Sequence, residues 1–350
     1  MNTKILVIDP LYEREPDIEL ATAGPGMELY FRRSVNGRLD DDADYAQADA
    51  VLNCRSAHLI PAAVVAKLAR CRAIQQGGVG YGHVDLLAAA RRGIAVLNTP
   101  DYGTTEVADH AVALALNLLR GIQAYDRRLR RSNSSWDARS LKAVRRLPGL
   151  RVGIVGLGRI GTAAALRFKA FGMQVGFCDP YLPVGHELAL GFDRFHSLDN
   201  LMARSDVVSV HAVLTPETRH IINARTLALL PPGAVLVNTS RGALVDLGAV
   251  RQALESGKLM AAGLDVFETE PLDRADPLIS AWINGEEWLD ERLILTPHAA
   301  FYSDSSLKDM RRLSMQYLIG YLRAGDARTC VNTDLLKQHA PAPADAGPRR

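Results

Sequence analysis

At 350 residues the chain is long enough for two domains with separate cores. Hydrophobic residues make up 48% and aromatics 6%, the balance of a soluble α/β protein rather than a disordered or fibrous one. A formal charge of +2 is too near neutrality to imply nucleic acid or an anionic membrane as a partner, and no apolar run approaches spanning length.

Residues 1–100 alternate short apolar runs (5–8, 28–31, 50–52, 73–75 and 95–97) with helical patterns, clearest at 61–68 and 85–92. Such alternation predicts a parallel sheet with helices on its faces. A turn cluster, Thr99 to Gly103, is the first candidate hinge. Thr104 or Thr105 then caps an apolar-periodic helix running to Leu119, which is expected to help assemble a homodimer. Residues 121–149 are polar and basic around Trp136 and read as an arm crossing the surface toward a partner subunit. Within it, Arg127 to Arg131 reads as a solvated helix end.

Residues 152–180 run VGIVGLGRIGTAAALRFKAFGMQVGFCDP and organise the second half. An apolar strand leads directly into Gly156, Gly158 and Gly161, then a helix, then a second strand closed by Asp179. This is the strand–turn–helix–strand–acid context of a dinucleotide fingerprint. Gly156 permits the tight turn, Gly158 admits a pyrophosphate, and Gly161 lets helix meet strand. The free N–H groups of the helix start hold the phosphates. Asp179 is placed to bind the adenosine ribose, and its charge would repel a 2′-phosphate, so NAD is expected over NADP.

Further strands are predicted at 207–211, 234–238, 261–266 and 293–295, making about six in this sheet. Helices fall at 198–203, 224–230 and 248–256. Residues 277–291 read as one amphipathic helix inserted before the last strand. It either extends the core or forms a lid or interface element. A long helix at 304–324 is expected to return to the first domain, and the Ala/Pro-rich tail from His339 to be disordered. The four cysteines, Cys54, Cys71, Cys178 and Cys330, show no metal-ligand spacing and suit reduced thiols of a cytoplasmic protein. No metal is expected. The chain enters its first strand at once, so no signal peptide is expected either.

Three polar residues follow predicted strands, at the edge where open α/β sheets bind ligands: Arg241, Glu270 and His298. Histidine suits proton donation near neutrality, arginine offers a fork for a carboxylate, and a carboxylate orients an imidazole. Singly these read as a surface cation, a loop acid before Pro271 and a helix-start residue. All three after consecutive strands read as a catalytic site.

The motifs GGVGYGHVD (77–85), TTEVADHAVAL (104–114), VGIVGLGRIG (152–161), VNTSRGALVD (237–246), GLDVFETEPL (263–272) and TPHAAFYS (296–303) give a specific likeness. Across most of residues 45–325 the chain resembles the NAD-dependent D-2-hydroxyacid dehydrogenases, which include D-3-phosphoglycerate and D-lactate dehydrogenases and glyoxylate reductases. The stretches 165–182 and 298–312 are most similar to the branch of C-terminal-binding corepressors. The resemblance implies two doubly wound parallel-sheet domains with a cleft between them. One is a discontinuous flavodoxin-like substrate domain (1–100 and 300–335). The other is a Rossmann NAD-binding domain (101–299) with a dimerisation arm (121–149), followed by a disordered tail (339–350).

It also implies that Arg241 binds the substrate, His298 is the acid/base and Glu270 supports it. Asp265 would contact the nicotinamide carboxamide and Thr105 a phosphate. Arg159, Ile160, Thr239, Ser240 and Ala300 would complete the cofactor site alongside Arg241 and His298. The loop Gly78, Val79 and Gly80 would offer N–H groups to the substrate carboxylate, and Arg55 would reach a distal anionic group or stay an ordinary surface arginine. The implied partners are a small 2-oxo or 2-hydroxy acid and a second copy in a homodimer. The alternatives are an NADP-linked glyoxylate or hydroxypyruvate reductase and an NADH-sensing corepressor-like protein. Formate dehydrogenases carry glutamine where this chain has Glu270, which disfavours that branch.

Overall fold

The computed structural model describes residues 2–12, 14–39, 41–55, 58–132, 136–141 and 144–339. Two compact units emerge: residues 1–103 with 303–350, and residues 104–302.

The first unit is built on five strands: β1 (Thr3–Ile8), β2 (Met27–Arg32), β3 (Ala50–Asn53), β4 (Ala73–Gln76) and β5 (Ala95–Leu97). All pair in parallel in the order β2-β1-β3-β4-β5. That is the flavodoxin-like order, with its switch point between β1 and β3. Ile5, Leu6, Val7 and Ile8 are wholly buried because helices cover both faces, which is why the strand reads as an unbroken apolar run. The helix Asp304–Ala324 covers one face, with Met315, Leu318 and Ile319 against Ile5, Val7 and Leu97. Ser303 and Ser306 start it with a reciprocal capping box. From this helix Arg311 makes a forked pair with buried Glu19, at 2.8 and 2.6 Å. Asn332 then bonds the Val96 N–H and the Ile94 carbonyl, pinning the chain's end to β5.

The second unit holds β6 (Arg151–Val155), β7 (Gln174–Cys178), β8 (Asp193–Arg194), β9 (Val207–Val210), β10 (Ala234–Asn238), β11 (Leu259–Leu264) and β12 (Leu293–Leu295). They form one parallel sheet in the order β12-β11-β10-β9-β6-β7-β8, the Rossmann order with a seventh strand and a switch point between β6 and β9. Seven strands replace the six expected: β8 is a two-residue charged edge without the apolar run that marks a strand. Among the described residues no helix is long and apolar enough to cross a membrane.

Three sequence expectations change. The helix Thr104–Arg120 has its apolar face inside the unit, where Ala111, Val112, Ala115 and Leu119 meet Ile154, Val235 and Phe168. Little of that face remains for a partner. The basic run 127–131 is a helix end as expected, with Arg130 and Arg131 largely exposed, but its arginines are paired rather than free. It sits on a helix, Ile122–Arg131, where Arg128 forks onto Glu291 at 2.5 and 2.6 Å and Arg131 meets Asp290 at 2.7 Å. Residues 277–291 are not one helix either, since Pro277–Ile283 stops before Gly285 (φ 66°) and a 3-10 turn, Glu287–Leu289, follows. Leu278, Ile279, Ala281 and Leu289 are buried against Val250 and Leu254, so this insertion extends the core. His339 closes a helix, Thr333–His339, and the rest of the expected tail, 340–350, lies outside the described residues, as do 133–135 and 142–143 of the arm.

Candidate active site

The turn after β6 has the shape of a dinucleotide cradle. Gly156 takes φ 88°, and a side chain there would press on the Ala212 backbone at 2.8 Å. A side chain at Gly161 would collide with the Gly156 carbonyl. A side chain at Gly158 would meet no protein atom within 4 Å, which leaves that approach open. Gly158 also precedes the helix Arg159–Ala170 without any side-chain cap on its first N–H groups, an arrangement suited to a phosphate. Ile160 is half-buried and Arg159 exposed in that first turn. At the end of β7, half-buried Asp179 accepts the Leu157 N–H at 2.9 Å and the Tyr181 N–H at 3.0 Å. It is thereby fixed beside the glycine turn. Thr105 lies exposed in the first turn of Thr104–Arg120, its hydroxyl donating to Glu106 at 2.8 Å.

After β10 the chain turns through Thr239, Ser240 and Arg241. Asn238, wholly buried, pins that turn by donating to the Arg241 carbonyl at 2.9 Å and accepting the Ser240 N–H at 3.0 Å. The Ser240 hydroxyl donates to the Ala212 carbonyl at 2.7 Å. Thr239 Oγ1 is buried and has no hydrogen-bond partner, so the turn keeps one polar atom for a ligand.

After β11 and β12 come the two members of the expected acid/base pair. His298 Nδ1 and Glu270 Oε2 are 2.7 Å apart, and the other Glu270 oxygen accepts the Phe267 N–H at 2.9 Å. Burial alone would push the Glu270 carboxyl up. The His298 hydrogen bond, the Phe267 N–H and the charges of His298 and Arg241 outweigh it and hold the carboxyl below the usual carboxylate range. With Nδ1 engaged, the imidazole presents Nε2 as its reactive nitrogen. The His298 backbone is left-handed (φ 52°), a strained conformation for a residue with a side chain and one that clusters at functional sites. Its ring meets Phe301 edge-on at 6.2 Å.

Asp265, expected at a nicotinamide carboxamide, is wholly buried. Its oxygens take the Thr296 hydroxyl at 2.6 Å and the N–H groups of Ala299 and Ala300 at 2.8 and 3.0 Å. It clamps the loop that carries His298. Sequence reading missed Asn238, Thr296 and His110 in this network. The available signals were polar residues at the ends of apolar strands and a histidine on an otherwise apolar helix.

The remaining expected residues belong to the first unit, at the carboxyl edge of its sheet. The Gly78 and Val79 carbonyls accept from Thr99 N–H (2.8 Å) and Asn98 (2.9 Å). In a trans peptide the N–H points opposite the carbonyl, so the Val79 and Gly80 N–H groups face the other way. Arg55 follows β3 and is exposed.

Residues 112–300 match the family model of the D-isomer specific 2-hydroxyacid dehydrogenase NAD-binding domain. The chain belongs to this dehydrogenase family. It is 33% identical over 342 residues, 96% of its own length, to a D-3-phosphoglycerate dehydrogenase of Methanocaldococcus jannaschii, and spans 60% of that protein. Among solved structures, a glyoxylate reductase of Paecilomyes thermophila superimposes with a TM-score of 0.81 at 30% identity, covering 95% of this chain and 99% of that one. A D-lactate dehydrogenase of Aquifex aeolicus, complexed with NAD and lactic acid, gives 0.78 at 27% identity, covering 97% and 100%. The family's NAD-binding domain therefore coincides with the seven-stranded unit, and the glycine turn, Asp179 and the His298–Glu270 pair all lie in or beside it.

Proposed function

We propose that this protein is an NAD-dependent D-2-hydroxyacid dehydrogenase, interconverting a small anionic 2-oxo acid and the corresponding D-2-hydroxy acid. The observation that carries the reading is the 2.7 Å His298–Glu270 pair at the carboxyl edge of a Rossmann sheet, with the Arg241 charge acting on it.

The cradle fits NAD: the glycine turn and the uncapped helix suit the pyrophosphate, Asp179 the ribose hydroxyls, and the unpartnered Thr239 hydroxyl a further polar contact. Bound NAD supplies the hydride chemistry at the substrate's C2. Arg241 takes the carboxylate and polarises the neighbouring carbonyl with its planar fork. His298 Nε2 gives a proton to the carbonyl oxygen in reduction and removes one from the hydroxyl in oxidation. Glu270 orients the ring and favours its charged form.

The Asp179 carboxylate disfavours the NADP-linked alternative, and the complete Arg241, Glu270 and His298 set favours an enzyme over an NADH-sensing binding protein. We assign a homodimer through the 121–149 segment, supported by Ile122, Leu129 and Trp136, which are 62%, 40% and 85% exposed. A monomer in sedimentation at micromolar concentration would remove that assignment. The free thiols suit the cytoplasm. The activity is tested by steady-state assay of a panel of 2-oxo acids with NADH and NADPH. Turnover preferring NADH supports the proposal; no turnover of any 2-oxo acid with either cofactor would sink it.

A further inference from the structure

The loop bearing His298 is tied to the long helix of its own unit by three polar side chains. Asp265 has no exposed surface and takes the Thr296 hydroxyl, the Ala299 N–H and the Ala300 N–H, while its main-chain carbonyl accepts the His298 N–H at 2.8 Å. A threonine hydroxyl has one proton to give. Thr296 gives it to Asp265, so its second contact, 3.1 Å to His110 Nε2, must run the other way. The His110 ring nitrogen donates and Thr296 Oγ1 accepts. That fixes the position of the His110 proton whether the ring is neutral or charged. His110 comes from the helix Thr104–Arg120, whose neighbouring Ala111 and Val112 are locked in the core.

A buried carboxylate is costly unless hydrogen-bonded, and all three donors to the Asp265 side chain belong to the loop it holds. The loop needs holding, because His298 sits in a left-handed backbone that its side chain disfavours. We infer that His110 and Thr296 are positioning residues for the proton transfer: the chain His110–Thr296–Asp265 holds residues 296–300 so that His298 keeps its partner Glu270. The inference rests on the dehydrogenase reading above. It separates two effects, since removing the Thr296 hydroxyl strips Asp265 of one donor and leaves the His110 N–H without its acceptor. The loop then relaxes and the proton donor loses its alignment, while Arg241 and the glycine turn, which lie outside residues 296–300, are untouched.

The test pairs disruptive with conservative substitutions. Thr296→Val and His110→Ala remove a link; Thr296→Ser keeps the hydroxyl, and His110→Gln keeps an N–H at the Nε2 position. Two quantities are read: kcat and KM for reduction, and amide hydrogen exchange across residues 296–300 without substrate. Thr296→Val is expected to lower kcat roughly 10- to 100-fold with KM little changed, and to speed exchange at Ala299 and Ala300. Serine and glutamine are expected to restore both most of the way. Wild-type exchange and kcat in Thr296→Val, or a rise in KM at unchanged kcat, would overturn the inference. If the wild type turned over no 2-oxo acid, the dehydrogenase reading would fail, and hydrogen exchange would still decide whether the clamp exists.

Discussion

The carboxyl edges of the two sheets treat their buried polar groups differently. In the seven-stranded sheet buried Asn238 has both ends of its amide bonded and buried Asp265 takes three donors, with Thr239 Oγ1 the exception. In the five-stranded sheet Asn53, His58, Gln75 and Gln76 are equally buried. There Asn53 Oδ1, His58 Nδ1, Gln75 Oε1 and Gln76 Nε2 make no hydrogen bond. Burial also holds the His58 imidazole below its ordinary range, against the opposing charge of Asp9. The polar groups around the expected proton donor are thus satisfied within their own unit, while those at the other edge, beside the Gly78–Gly80 loop and Arg55, keep open positions. The first unit is also held by its apolar core and by the Arg311–Glu19 pair.

Substitutions can break this contrast from either side. The largest effect is expected at the ordered edge. His298→Ala removes the proton donor and should slow the chemical step about 10²–10⁴-fold, measured by single turnover, while NADH still binds in titration. Full activity would detach the ordered network from the chemistry. On the other side, Arg311→Ala leaves Glu19, 1% exposed, without its forked partner. A loss of about 3–5 kcal/mol in urea unfolding is expected. A loss below about 1 kcal/mol would mean that the pair behaves like an exposed one and that the first unit is held by its apolar core alone. A smaller effect is expected at the cofactor. Asp179→Ala should weaken NAD binding by about 1.5–3 kcal/mol and narrow the preference over NADP, as charge-assisted hydrogen bonds are lost. Unchanged affinity would remove Asp179 from the site.

Much of this architecture was legible because it is written in apolar runs and glycines. β1, β3, β6 and β10 are largely buried on both faces and read as hydrophobic strands. The spacing of Gly156, Gly158 and Gly161 carries its own steric reason, since side chains at the first and last would strike backbone. What stayed hidden depends on pairing across long sequence distances. The helix Ile122–Arg131 shows no apolar stripe; Arg128 is instead held by Glu291, which lies far along the chain. β8 is a strand by pairing with Gly176 and Phe177 rather than by composition. The left-handed His298 and the burial of Asp265 follow from a loop closed on itself by tertiary bonds, which local propensity does not encode.

The central claim is that His298, held by Glu270, moves the proton, and its most direct test is the pH dependence of both reaction directions in wild type and Glu270→Gln. The Glu270 carboxyl is held below its usual range, so the pair's contribution is complete above that range and is lost only as pH falls through the lowered value. Across neutral pH the carboxylate is charged while a histidine titrates. Reduction needs the imidazolium, so its rate should fall as pH rises; oxidation needs the neutral ring, so its rate should climb over the same interval. Glutamine keeps a hydrogen-bonding group but removes the negative charge that favours the imidazolium. Both limbs should therefore move to lower pH in Glu270→Gln, with turnover retained. Superimposable profiles for the two proteins would contradict the account.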